Sequence, residues 1–252
     1  MKRRSLAALI AALAVIAVGI LISFFLSLTA KNTGKYTISL PGQSTATIDD
    51  MGLIREKNRE TVQAVTIDEK NAQAVIGALE RPEQYQCTYV ITYRYGENTA
   101  AFTGMIAVNG ARSYAQTVND DGQAMFYALL TDRWSYVWGE DEIYRRFPRK
   151  SRDADLYACA PTYEDLLDIP QEQILKAYVE ELDGQLCLAV LTGDPMTDEW
   201  QEWRILVDSG ILLTMEAKNG IDTTYSAVLG TLSLNTPEER LFLLPDERSP
   251  EA

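Results

Sequence analysis

The chain has 252 residues, with 23 Lys and Arg against 36 Asp and Glu, and it contains no histidine. The missing histidine excludes Ser-His-Asp and Cys-His catalysis, ordinary catalytic zinc sites and histidine-based pH switching. A net charge of −13 argues against nucleic acid or anionic lipid as a general partner, because binding to phosphates needs clustered cations.

The first predicted element is a membrane-spanning helix. Residues 5–30 carry no charge and follow the basic tetrapeptide of residues 1–4. A helix rises about 1.5 Å per residue, so the apolar run from Leu6 to Leu28 can cross a hydrocarbon core about 30 Å thick. The basic tetrapeptide stays in the cytoplasm under the positive-inside rule. We therefore predict a single-pass protein of the cell membrane, with a cytoplasmic N-terminus and an extracellular C-terminal domain.

A cleaved signal peptide is the alternative interpretation of this segment. Such a peptide has an apolar core of about 7–15 residues and small residues at positions −3 and −1 of the cleavage site. Here the apolar run is longer, and Leu28-Thr29-Ala30 puts a bulky residue at −3. The sequence favours an uncleaved signal anchor. Because three of the 23 cations precede it, the outer part keeps 20 against 36 acidic residues, a net charge of −16.

A polar linker and an amphipathic helix are predicted next. Residues 31–65 are poorly patterned, and we interpret them as a juxtamembrane linker that adds at most one edge strand. Asp68 is a candidate N-cap, and Val75, Ile76 and Leu79 give the helix an apolar stripe. Pro82 ends it.

After Pro82 the apolar period changes from about 3.6 to 2, which indicates strands. Turn signals divide the rest of the chain into a meander, among them Asn109-Gly110 and Asp183-Gly184. For Asn109-Gly110 we predict a type I′ turn, which needs positive φ at both central residues. Two short helical segments interrupt the meander, at residues 161–167 and 170–175.

These patterns predict an α+β fold behind the membrane anchor of residues 1–30 and the linker of residues 31–65. Its core is a curved antiparallel half-barrel of ten or eleven strands over residues 66–248, because so long a sheet must curl to bury its face. The helices are expected in the concave side.

Four stretches of this domain resemble a known family. They are PTYEDLLDIPQEQILKAY (161–178), DGQLCLAV (183–190), VDSGILLTMEAKNG (207–220) and the closing LFLLP (241–245). Together with a helix that ends in Arg-Pro and a long meander, they resemble the LolA/LppX/RseB-like superfamily of extracytoplasmic half-barrels. The chain also looks like membrane-anchored proteins of Gram-positive clostridia.

The resemblance implies a shape suited to holding an apolar ligand: a lipid, a lipoprotein acyl chain or a partner's peptide. It implies no shared catalytic residue and no cofactor. Because this chain is predicted to be tethered, it cannot shuttle as a soluble lipoprotein carrier does. A sensor of envelope state or a fixed chaperone is the expected role.

An aromatic row is the first candidate ligand site. Trp134, Tyr136 and Trp138 alternate along one predicted strand and therefore share one face. With Trp203 and Met215 they form a candidate hydrophobic groove. The alternative is an ordinary β core, because aromatic side chains bury large areas.

A basic cluster is the second candidate site. It comprises Arg145, Arg146, Arg149, Lys150 and Arg152, which stand out on so acidic a domain. Such a cluster can dock on anionic headgroups or wall polymers. The alternative is a solvated loop whose cations pair with the acidic residues 140–142 just upstream.

The three cysteines allow one disulfide. Disulfides persist outside the cell, and Cys159 with Cys187 would close a moderate loop between neighbouring elements. Their spacing matches no metal motif. The alternative, small buried thiols, applies to Cys87 and Cys187, which lie in apolar strand patterns.

We therefore expect a membrane-anchored binding protein for a hydrophobic ligand, without catalytic activity, metal or cofactor. The alternative function is a structural or regulatory interaction domain of an envelope or sporulation complex, with a protein partner and no ligand cavity. A hydrolase with two carboxylates would need them in a polar cleft at a defined separation.

Overall fold

The strands form a single antiparallel sheet. The computed structural model describes residues 48–149 and 160–250 of the chain. Within these ranges the eleven strands are β1 (Gln84–Tyr95), β2 (Asn98–Asn109), β3 (Arg112–Asn119), β4 (Ala124–Leu130), β5 (Trp134–Trp138), β6 (Arg145–Pro148), β7 (Ile174–Leu182), β8 (Gln185–Gly193), β9 (Glu199–Leu206), β10 (Leu212–Asn219) and β11 (Asp222–Ser233). The order across the sheet is β6-β5-β4-β3-β2-β1-β11-β10-β9-β8-β7.

The first and last strands lie side by side at the centre of this sheet. β1 pairs antiparallel with β11, so that Gln86 lies opposite Ser233 and Tyr93 opposite Tyr225. On either side of this seam the chain is a meander of hairpins, and the outermost strands are β6 and β7. The predicted antiparallel sheet of ten or eleven strands is confirmed.

The hairpin turns follow from glycine positions, with one shift from the prediction. Asn109 pairs with Arg112, so the turn between β2 and β3 consists of Gly110 and Ala111. Positive φ falls on Gly110 alone, as in a type II′ turn, because glycine tolerates that conformation without strain. Among the described hairpin turns, only Asp183-Gly184 has two residues with positive φ, 51° and 79°, the type I′ pattern predicted for Asn109-Gly110.

Three α-helices accompany the sheet in the described ranges: α1 (Ile48–Gln63), α2 (Ala72–Ala78) and α3 (Tyr163–Leu167). α2 is the amphipathic helix predicted from the sequence, and Val75, Ile76 and Leu79 are buried as expected. The Asp68 carboxylate accepts the backbone N–H groups of Lys70 and Asn71 just before it. The Gln73 amide of α2 donates to three backbone carbonyls of the α3 segment, those of Leu166, Leu167 and Ile169.

The helices α2 and α3 pack against one face of the sheet, which we call the inner face. The core there combines Ile76 of α2 and Leu166 of α3 with side chains from all parts of the sheet, from Val137 of β5 to Ala177 of β7. Because side chains alternate along a strand, the neighbours of these core residues point to the outer face.

Contacts across the helices require the sheet to be curved. Arg149, which follows β6, pairs with Glu164 of α3 at 3.6 Å. The ring of Tyr163, the residue before it, lies 3.4 Å from the guanidinium carbon of Arg81, and Arg81 donates to the Gly210 carbonyl between β9 and β10. A flat sheet would separate β6 from β9 by about 40 Å, at roughly 4.8 Å per strand. The sheet therefore curls around the helices.

The helix α1 was not predicted, because it lies within residues 31–65, a range interpreted as linker. It is attached to the domain by ion pairs, by hydrogen bonds of Asn58 and by the buried side chain of Val62. Arg55 and Arg59 both donate to the carboxylate of Asp208, at 2.7 and 2.6 Å. The Asn58 side chain bonds both the backbone N–H and the backbone carbonyl of Glu80.

We predict that acid weakens the attachment of α1. Burial alone would raise the pKa of Asp208, but the hydrogen bonds and charges of Arg59 and Arg55 outweigh it and hold the pKa below its usual range. The ion pairs of Asp208 with Arg55 and Arg59 therefore stabilise the fold fully when the pH is above about 4, the pKa of Asp208 in the unfolded chain. This contribution is lost as the pH falls through the lower pKa that Asp208 has in the folded protein. Asp208→Asn should lower the thermal midpoint at pH 7, by circular dichroism, and the difference from the parent should shrink on acidification.

A matched control for this prediction is Asp121→Asn, in the exposed turn after β3. It should leave the midpoint unchanged throughout the pH range. A midpoint difference for Asp208→Asn that persists unchanged in acid would show that the pairs do not hold α1.

Several predicted features lie outside the described ranges. These are the membrane-spanning segment of residues 5–30, its flanking basic residues and the optional edge strand before residue 48. Among residues 48–149 and 160–250, no helix combines the length and the apolarity needed to cross a bilayer.

Candidate functional site

The predicted aromatic row lies on the outer face of the sheet. Trp134, Tyr136 and Trp138 share one face of β5, as expected, while Val137 between them points into the core under the helices. Tyr136 lies opposite Leu129 and Trp138 opposite Tyr127 on β4. The row therefore lies on the side of the sheet away from the helices.

A C-terminal segment covers this aromatic row. It consists of a 3₁₀ turn, Glu239–Phe242, and the residues that follow as far as Pro245, and we call it the C-terminal strap. Its Phe242 and Leu244 are buried against the outer-face aromatics. Arg112 fixes the start of the strap, because its guanidinium donates to both oxygens of Glu239, at 2.7 and 3.2 Å. The sequence motif LFLLP is thus a cover for the outer face.

Between the strap and the sheet lies an open groove of about 540 Å³, which we call the outer groove. The sheet contributes Tyr114, Tyr127 and Trp138 to its wall. The rings of Tyr127 and Trp138 stack at 5.6 Å with an interplanar angle of 14°. The strap contributes Leu241, Leu243, Leu244 and Pro245, with Arg240 and Glu247 as the charged members. The groove thus joins an aromatic wall to an aliphatic one.

Trp203 and Met215, the other members of the predicted groove, lie elsewhere. They pair across β9 and β10 on the inner face and are buried in the core under the helices. The Trp203 indole N–H donates to the hydroxyl of Thr192 at 3.2 Å, which satisfies its only polar group. The structure therefore does not bring the five predicted residues together: three belong to the outer face and two to the inner core.

A second cavity, of about 580 Å³, opens beside α2 and α3, and we call it the charged cavity. Its lining includes Arg81, Tyr163 and Glu164. Arg81 donates to the carbonyls of Ile76 and Leu79 at 2.7 Å each, which closes the end of α2. The sequence indicates Arg81 only as part of the Arg-Pro pair that ends the helix.

Burial governs the electrostatics of this cavity. Desolvation lowers the pKa of the Arg81 guanidinium, and it raises the pKa of the Tyr163 hydroxyl. The carboxylates of Asp132 and Asp168 also line the cavity. Within the described part of the chain, no three acidic or cysteine side chains are grouped closely enough to hold a metal ion.

The predicted basic cluster is divided by the sheet edge. Arg145 and Arg146 are exposed on β6, and Arg146 lies over the ring of Trp134 at 4.2 Å. Arg149 turns instead into the charged cavity, where it donates to the Thr131 carbonyl at 3.0 Å and pairs with Glu164. The remaining members, Lys150 and Arg152, lie outside the described residues. Docking through this cluster stays a prediction.

The predicted disulfide also stays a prediction, because Cys159 lies outside the described residues. Cys187 is fully buried on β8. As a thiol it has a pKa raised to about 12, chiefly because burial disfavours the thiolate and also because Glu180 is near. Such a group behaves as a small apolar side chain. Cys87 is likewise buried.

No protein-family model and no curated protein matches the sequence. Among solved structures, a conserved protein from Thermus thermophilus aligns with 77% of this chain and 95% of its own, at 8% identity and a TM-score of 0.43. A LolA superfamily protein from Nitrosomonas europaea aligns with 70% of this chain and 97% of its own, at 11% identity and a TM-score of 0.35. MucB, in its complex with MucA(peri), aligns with 73% of this chain and 57% of its own, at 11% identity and a TM-score of 0.39.

One of these solved structures is named as a LolA superfamily protein, and the sequence motifs of this chain resemble that superfamily. At these identities the likeness concerns the fold alone.

Proposed function

We propose that this chain is a membrane-anchored, extracytoplasmic binding protein that holds a hydrophobic ligand, such as a lipid or lipoprotein acyl chain, in the outer groove. Residues 5–30 anchor it as a single-pass protein, with residues 1–4 in the cytoplasm and the sheet domain outside. This localisation is supported by the uncharged length of the segment and by the basic residues on one side of it.

The observation that carries this proposal is the outer groove itself. Its volume of about 540 Å³ is within the usual range of ligand pockets, and aromatic and aliphatic side chains form most of its wall. An acyl chain gains about 0.8 kcal/mol for each methylene that it buries. The inner face is less suitable, because α2 and α3 already occupy it with buried side chains such as Ile76 and Leu166.

We further propose that the chain is not an enzyme. The charged cavity has carboxylates, but Glu164 is about half exposed and lies 3.6 Å from Arg149. A glycosidase acid needs the opposite environment, an apolar site that keeps the carboxyl protonated.

The decisive experiment places a charge in the outer groove. Leu243 is half-buried and lines the groove, so Leu243→Lys should cost little folding energy while it puts an ammonium where an acyl chain would lie. Binding to the full chain in detergent is measured by titration with a fluorescent fatty acid at concentrations that do not saturate the site. We expect the affinity to fall about tenfold or more, equivalent to at least about 1.4 kcal/mol.

The matched control is Leu53→Lys, an exposed leucine on α1 that lies away from the groove. It should bind the probe as the parent does. Equal binding by both variants would refute the acyl-binding site, and so would a parent chain that binds no probe.

The second candidate function is an interaction domain, favoured by the open shape of the same groove. Apolar side chains of a partner protein would then occupy it, and fatty acid would not compete. In that case the parent chain would show no saturable binding of the probe, whereas Leu243→Lys would abolish capture of the partner.

A further inference from the structure

We propose that two copies of this chain pair through β7, antiparallel about a two-fold axis at Tyr178, and so join their sheets edge to edge. β7 is the outermost strand on its side, next to β8. Among the described residues, nothing forms a ladder with its outer edge. A strand in this position presents a row of backbone N–H and carbonyl groups that can pair with another strand.

The two edges of the sheet differ in how they are protected. β6 has four residues, carries exposed Arg145 and Arg146, and ends at Pro148. Shortness, charge and proline are the usual devices that stop an edge from pairing. β7 has nine residues and no proline. It also exposes three apolar side chains, Leu175 at 37%, Val179 at 37% and Leu182 at 38%. The β6 edge is therefore short, charged and closed by proline, whereas β7 also carries charges but is longer and free of proline.

Residues 176–180 of β7 are complementary to themselves when reversed. With Tyr178 opposite Tyr178 of the second copy, Lys176 lies opposite Glu180 of the second copy, and Ala177 lies opposite Val179. The two-fold axis repeats each of these pairs. Opposite charges and apolar residues directly across antiparallel strands stabilise the pairing. The ladder has about five residue pairs, a normal strand length.

The side chains are already placed for this register. Lys176 and Tyr178 share a face, since the Lys176 ammonium lies 4.8 Å from the Tyr178 ring. One oxygen of Glu180 accepts from Arg204 at 2.7 Å, which leaves the other for a second cation.

Other registers lose this complementarity. An axis at Ala177 puts Lys176 opposite Tyr178, and an axis at Val179 puts Glu180 opposite Tyr178, so that neither forms an ion pair. The charges therefore specify the axis at Tyr178. This inference rests on the strand alone and does not depend on the ligand proposed for the outer groove.

Cysteine cross-linking of the full chain, in the cells that produce it, tests the register. Residues directly opposite in an antiparallel pair have Cα atoms about 4.5–5.5 Å apart, within the range of a disulfide. Tyr178→Cys should therefore give a disulfide-linked dimer on mild oxidation, several times more than the parent chain in non-reducing electrophoresis. Lys176→Cys should not, because the two copies of residue 176 would be about 14 Å apart.

Two further variants make the result specific. In the Tyr178→Cys chain, adding Lys176→Glu should suppress the dimer, whereas Arg145→Glu on the other edge should not. Equal cross-linking at residues 176 and 178, or none at 178, would overturn the proposal.

Discussion

Replacing Arg81 with alanine is expected to lower the free energy of unfolding by about 3 kcal/mol, because it removes the side-chain donor of three buried carbonyls. Arg81 donates to the carbonyls of Ile76, Leu79 and Gly210, which joins the end of α2 to the β9–β10 turn. Its guanidinium also stacks on Tyr163 of α3. Chemical denaturation followed by tryptophan fluorescence measures the loss, and binding of an apolar dye should rise as the inner face is uncovered.

Two controls separate the contribution of the several N–H donors of the guanidinium from that of its positive charge. Arg81→Lys keeps the charge but cannot reach three carbonyls at once, so it should retain only a minor part of the lost stability. Arg240→Ala, at an arginine that is mostly exposed, should change the unfolding free energy by less than about 0.5 kcal/mol. If Arg81→Lys were as stable as the parent, the simultaneous hydrogen bonds of the guanidinium to three carbonyls would not contribute to stability.

Replacing Gly210 with alanine is expected to cost about 2–3 kcal/mol of unfolding free energy, for two reasons. Gly210 has φ +67°, a conformation that costs an L-residue about 1–2 kcal/mol. In addition, a Cβ atom there would lie 2.8 Å from Cγ of Arg81 and 3.1 Å from the Glu80 carbonyl oxygen. The arginine cannot move away without losing its hydrogen bonds, so the two costs add.

Gly220→Ala is the matched control, since Gly220 has φ +58° and open space where the Cβ would be. It should cost only the backbone term, about 1–2 kcal/mol. A double-mutant cycle isolates the steric term, because Gly210→Ala should cost less when Arg81 is already alanine. Equal costs for the two glycine replacements, together with additivity at positions 81 and 210, would contradict the predicted contact.

The strands and hairpins were predictable from the sequence, because they depend on local chemistry. A period of 2 marks the strands, and glycine marks the turns whatever the rest of the chain does. The register of a single turn was less secure. Asn109-Gly110 predicts a hairpin correctly, but pairing of Asn109 with Arg112 moves the turn one residue along.

The location of the aromatic row was not predictable in the same way. Alternation along β5 shows that Trp134, Tyr136 and Trp138 share a face, but it does not say which face is under the helices. The aromatic face of β5 is the outer face because the C-terminal strap covers it. The strap, residues 239–245, lies more than a hundred positions after β5 in the sequence. Nothing local to β5 signals it.

The helix α1 was not predicted from the sequence for a related reason. Asn58 and Val62 are buried, but most of its other side chains are exposed, so the apolar stripe that marks a packed helix is weak. Its stabilising partners, Asp208 and Glu80, are distant in sequence. Ion pairs of this kind leave no periodic signal.

The central seam of the sheet determines when the molecule can be completed. The meanders β1–β6 and β7–β11 can each form from neighbouring hairpins as the chain is synthesised. β1, however, has no second neighbouring strand until β11 has been synthesised and has paired with it. Closing that contact joins the most distant parts of the domain, the slowest kind of step in folding. During synthesis from the N-terminus, β1 therefore keeps one unpaired edge in the middle of the unfinished sheet until β11, the last of the described strands, has been made.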